Sequence, residues 1–95
     1  MALLHGSDRA RPKPGVLCKI LGSQAVLLEL ESETYFGLNE TGTRLWALLM
    51  TAPSIREAVD TMLSEYDVAP AELERDAAAL IDELIDRGLL RVERA

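Results

Sequence analysis

The stretch Ala25–Leu49, AVLLELESETYFGLNETGTRLWALL, decides the fold of this 95-residue chain. Its first half reads as two adjoining strands, rich in strand formers. Its second half opens on Asn39 and spaces Leu45, Trp46, Leu48 and Leu49 along one side of a helix. Asn39 is a good helix N-cap, because its side-chain oxygen accepts a backbone N–H of the first turn. Thr34-Tyr35-Phe36 is a short run of good β formers immediately before it.

Working outward, Val16–Leu21 and Gln24–Glu31 are apolar runs separated by Gly22-Ser23. Glycine supplies the positive φ of a two-residue hairpin. A second reversal at Glu31-Ser32-Glu33 leads into Thr34–Phe36, so an antiparallel three-stranded meander is expected. Val26, Leu28 and Leu30 share one side of the second strand, and Leu27 lies on the other with Ala25 and Glu29. One face must meet the helices, and the other is more apolar than a wetted face needs. On the carboxyl side, Thr51-Ala52-Pro53 ends the first helix near Met50. Ser54 with Glu57 three residues later is a capping box for a second helix, along which Ile55, Ala58, Val59, Met62, Leu63 and Tyr66 recur at helical spacing. Pro70 suits the start of a third helix and Gly88 the residue past its end. Leu89, Leu90 and Val92 suit a short closing strand. Residues 1–15, with two prolines, two glycines and no period, read as a loosely ordered basic arm, and residues 16–95 as one domain. The expected class is α+β: a three-stranded antiparallel sheet followed by three helices in a winged helix-turn-helix-like arrangement.

Composition narrows the function. With 48% apolar residues, the chain builds an ordinary globular core. No run is long and apolar enough to span a bilayer, and the first residues lack a signal-peptide core, so a cytoplasmic protein is expected. Sixteen acidic residues stand against ten basic ones, a net charge of −6. The acids crowd the third helix, at Glu72, Glu74, Asp76, Asp82, Glu83 and Asp86. A winged-helix pattern invites a DNA-binding interpretation, but that helix would be repelled by phosphates. His5 is the lone histidine and sits in the arm, and Cys18 reads as a small buried hydrophobe of a strand. No metal-ligand or phosphate-binding spacing occurs, so no cofactor and no catalytic residue is expected.

Two features point to a binding protein. Thr34–Phe36 lies at the edge of a meander, where one row of backbone groups lacks a partner. On the third helix, Leu73, Ala77, Leu80 and Leu84 fall on one core line at 100° per residue. Ala78, Ile81 and Ile85 flank that line on one side; Asp76, Glu83 and Arg87 flank it on the other. Either another element of the domain covers Ala78, Ile81 and Ile85, or they form one wall of a groove beside the open edge. That second geometry admits an extended peptide by strand addition. On it, Ile81→Asp is expected to weaken peptide binding and leave the fold intact. A small dimerisation module, using the same edge and wall against a second copy, is the competing expectation.

The runs Leu27-Leu28-Glu29-Leu30, Tyr35-Phe36-Gly37-Leu38-Asn39-Glu40-Thr41-Gly42 and Leu45-Trp46, with Asp76 through Leu84 to Arg87-Gly88-Leu89-Leu90, resemble the PqqD-like family over roughly residues 16–92. Members recognise the leader of ribosomally made, post-translationally modified peptides. The resemblance implies a non-catalytic protein that binds the leader as a strand added to the third strand, in a cleft with the third helix. By position it assigns Thr34, Tyr35 and Phe36 on the strand, and Ala77, Ala78, Ile81 and Ile85 on the helix. The implied partners are a precursor peptide and the enzyme that receives it. Members serving pyrroloquinoline quinone synthesis carry a Gly-Trp-Val-type second strand and a following Pro-Glu, neither of which is present. The Tyr-Phe-Gly-Leu-Asn stretch is more similar to the stand-alone proteins of lasso-peptide clusters, whose partner is a separate leader peptidase. A peptide chaperone for pyrroloquinoline quinone synthesis is the alternative within the family.

Overall fold

The computed structural model describes residues 8–93. Five strands and three helices follow in the order β1 (Arg9–Pro12), β2 (Val16–Leu21), β3 (Gln24–Glu29), β4 (Thr34–Leu38), α1 (Glu40–Thr51), α2 (Ile55–Glu65), α3 (Pro70–Asp86) and β5 (Leu90–Glu93). β2, β3 and β4 form the expected antiparallel meander, with β3 in the middle. Leu21 pairs with Gln24 across Gly22-Ser23, and Gly22 adopts φ +69°. The turn after β3 has no glycine, so Glu33 takes the left-handed conformation at φ 56°. The Glu29 carboxylate secures that turn by accepting from the backbone N–H groups of Glu31 and Ser32 at 2.9 Å each.

The helices begin where their capping residues dictate. Asn39 Oδ1 accepts from the Gly42 N–H at 2.8 Å, and Ser54 Oγ from the Glu57 N–H at 3.1 Å. Pro70 opens α3, and Gly88, at φ +76°, lets the chain leave it. Strand register then sets the faces. Ala25, Leu27 and Leu38 turn to the helices and are buried, together with Leu45, Trp46, Leu49, Ile55, Val59 and Met62.

The structure departs from expectation at the amino-terminal arm. Arg9–Pro12 is not loose: it pairs antiparallel with Leu90–Glu93 as a separate two-stranded ribbon, from Arg9 opposite Glu93 to Pro12 opposite Leu90. Ala10 and Leu90 enter the core, the Asp8 carbonyl accepts from the Ile55 N–H at 2.8 Å, and Arg11 Nε lies 2.6 Å from Glu93 Oε1. Four-residue strands show no alternation worth reading, and the partner lies 82 positions away. His5 and the rest of residues 1–7 lie outside the described residues. Cys18 also differs. It is exposed, because β2 is the outer strand and five of its six residues overhang the helical layer.

The ribbon has a consequence for α3. It packs through β5 against that helix, and Ala78, Ile81, Leu84, Leu89 and Leu90 join one buried cluster. Ile81 is wholly inaccessible. Ile81→Ala should therefore lower unfolding free energy by about 2–5 kcal/mol, as for other buried truncations, read as a shifted chemical-denaturation midpoint. Ile81→Asp should unfold the domain rather than leave it intact.

Candidate functional site: an apolar groove beside an open strand edge

β4 has one partner, β3, so its other edge is open among the described residues. Beside that edge runs a groove of about 480 Å³. Its strand side is Phe36, Gly37 and Leu38, its floor includes Leu45 and Met62, and its helical wall is Leu73, Asp76, Ala77 and Leu80. Gly42 lies at the base of α1, where a Cβ would come within 3.3 Å of the side chains of Asn39, Leu38 and Leu80. Its lack of a side chain lets the wall of α3 approach the start of α1. At the far end the Arg87 guanidinium sits over the Phe36 ring, 5.3 Å from its centroid, and also reaches Glu83 at 3.4 Å.

The seven residues assigned from sequence separate into distinct places. Phe36 and Ala77 line the groove. Thr34 starts the strand on the same face as Phe36, half-buried, its hydroxyl hydrogen-bonded to that of Ser32 at 2.8 Å. Tyr35 pairs with Leu28 on the opposite face of the sheet and is 68% exposed. Ala78 and Ile81 are fully buried, and the half-buried Ile85 lies on their flank, packed against the core. Those three are not on the groove side of α3. Of the two alternatives left by the helical arithmetic, coverage from within is the one observed. Of the line expected to be core, Leu73, Ala77 and Leu84 are buried as expected, and Leu73 and Ala77 with the half-buried Leu80 also line the groove. The flank carrying Asp76 and Arg87 is the nearer one, since Asp76 lines the groove and Arg87 stacks on Phe36, which also lines it.

Three ion and hydrogen-bond systems fix this frame. Arg44 on α1 donates to both carboxylate oxygens of Glu65 on α2, at 2.9 and 2.6 Å. Those donated bonds hold the Glu65 carboxyl below its ordinary range. The side-chain hydrogen bond from Ser32, then the backbone N–H groups of Glu31 and Ser32, do the same for Glu29 at the turn into β4. Arg56 on α2 bridges to Glu74 on α3 at 3.1 Å.

The geometry defines a small α+β domain of winged helix-turn-helix type with an open strand edge facing an apolar helical wall. Residues 24–90 match the family described as coenzyme PQQ synthesis protein D (PqqD), and the chain belongs to that family. Two solved structures are similar along nearly the whole chain. One is TbiB1 in complex with the TbiA(beta) leader peptide, at 32% identity and TM-score 0.81, covering 90% of this chain and 99% of that one. The other is a lasso peptide synthetase B1 complexed with its leader peptide, at 29% identity and TM-score 0.79, covering 87% of this chain and 98% of that one. No curated protein matches the chain in sequence.

Glu29 and Glu65 both have depressed folded-state values. The stability they contribute is complete above the ordinary carboxyl range and is lost as pH falls through the folded values. Replacing both by Gln should flatten the dependence of Tm on pH between about pH 5 and pH 3, measured by thermal scans across that range.

Proposed function

We propose that this chain is a non-catalytic receptor for the leader region of a ribosomally made precursor peptide. The leader adds as a strand to the free edge of β4, and its inward side chains enter the groove against α3. Main-chain pairing with β4 sets register, and the apolar groove sets specificity. The observation that carries this function is the juxtaposition of the open β4 edge with the groove of about 480 Å³. Its support is the identity of 32% and 29% with two proteins solved with leader peptides bound.

The finer assignments belong to the same proposal. The receiving enzyme is a separate leader peptidase, and the pathway is of the lasso-peptide type, because both similar structures are B1-type proteins. The work takes place in the cytoplasm, where ribosomes release the precursor. No helix of the described residues is long and apolar enough to cross a membrane.

Within the binding surface, Phe36, Leu38, Leu73, Ala77 and Leu80 replace the assignment to Ala78, Ile81 and Ile85. Leu80 is half-buried and lines the groove, so a charge there strikes the ligand before the core. Titration of the isotope-labelled protein with the TbiA(beta) leader peptide, followed by amide chemical shifts, tests the site. Changes are expected along residues 34–38 and 73–80, with none centred on β2. Leu80→Asp should weaken binding by roughly 30-fold, equivalent to about 2 kcal/mol. Unchanged affinity of that variant, or shifts confined to β2 or the β1–β5 ribbon, would contradict the proposal.

A further inference from the structure

Gly37 is the fourth of the five residues of the open strand, and nothing within the fold calls for glycine there. Its φ is not positive. A Cβ built on it meets no atom within 4 Å, so no neighbouring group needs the space. Glycine weakens a strand, and inside one it often marks a bulge, a tight bend or a close approach of a ligand or another backbone. By register Gly37 pairs with Val26, on the sheet face turned away from the helices. A second depression, of about 240 Å³, lies there, lined by Leu21, Gln24, Val26 and Gly37 with Leu38 and Asn39. Liquid water occupies about 30 Å³ per molecule, so the depression has room for one large side chain. Gly37, Leu38 and Asn39 line both this depression and the groove.

On the same outer face, two residues before Gly37, stands Tyr35, 68% exposed. An aromatic ring so open on an edge strand has no role in the core. Side chains directly opposite each other on paired strands stand about 4.5–5.5 Å apart at Cβ, and diagonal neighbours remain within reach of an aromatic ring. A strand added to β4 would set one outward residue opposite Gly37 and diagonal to Tyr35. Finding no Cβ opposite, that residue can lean across the strand toward Val26, with the Tyr35 ring against its flank.

We propose that the outer face at Gly37 and Tyr35 is a second subsite for the same bound peptide, taking one large apolar side chain. The inference rests on the strand-addition function above. It makes the bound strand read on both faces: alternate residues inward to the groove, and one intervening residue outward over Gly37. Large side chains covering a cross-strand glycine are a known device for pinning register at sheet edges, and here the device fixes the register of the incoming strand.

The test uses a phage-displayed library of random 12-residue peptides panned on the wild-type protein, with the best binder synthesised for affinity measurement. Enriched sequences should carry apolar residues at alternate positions and, between two of them, one large apolar residue. Gly37→Val should keep the wild-type melting temperature and bind the selected peptide at least tenfold more weakly. The peptide with that intervening residue changed to Ala should lose a similar factor on the wild-type protein and be indifferent to Gly37→Val. The subsite is overturned if Gly37→Val binds as the wild type does. It is equally overturned if the variant weakens the alanine peptide as much as the parent, which would mean obstruction of strand addition itself. In both cases loss of binding in Leu80→Asp leaves the groove standing. Binding that survives Leu80→Asp, or a library without enrichment on the wild type, overturns the groove and the subsite together.

Discussion

The packing of β5 against α3 determines which side of that helix is left open. A helix carrying Leu73, Ala77, Ala78, Leu80, Ile81, Leu84 and Ile85 has more apolar arc than one neighbour can cover. The β1–β5 ribbon and the core take the side bearing Ala78, Ile81 and Leu84. What remains is the line through Leu73, Ala77 and Leu80, facing the strand edge that the meander leaves without a partner. Open edge and open wall are therefore consequences of one topology. Three strands cannot close on themselves, and the chain spends its ends on one side of α3 only.

Much of the fold was legible. Asn39, Ser54, Pro70 and Gly88 punctuate the helices where capping chemistry requires, and Gly22-Ser23 turns the first hairpin. The meander followed from the apolar runs either side of Gly22-Ser23 and the β formers Thr34–Phe36. The β1–β5 pairing was not legible, because Arg9–Pro12 is four residues long, contains a proline and finds its partner at the other end of the chain. The closing strand β5 was expected and is what packs on α3, but nothing in the helical arithmetic tells which flank it covers, and Ile81 was assigned to a groove wall by resemblance when it is interior. The open edge at Thr34–Phe36 needed no such knowledge and was found directly. Gly42 carried a usable signal: a small residue in the first turn of a helix marks a close approach, here to Leu80.

The edge is not protected by the usual devices. β4 contains no proline or lysine, and one of its five residues, Gly37, is a glycine. An edge of that composition invites pairing, and specificity must come from what flanks it. The rim of α3 supplies charge at Asp76 and, at the other end, the Arg87 guanidinium over Phe36. The apolar residues between them supply burial. Backbone pairing alone accepts any extended chain; the wall of α3 makes the acceptance selective.

Amide hydrogen exchange with and without the TbiA(beta) leader peptide measures the central claim most directly, because strand addition must convert open backbone N–H groups into bonded ones. Slowed exchange at edge-facing amides of residues 34–38, with β2 unaffected, is the predicted result. Unchanged exchange in β4 while the peptide is bound would show that the ligand sits elsewhere and contradict the account.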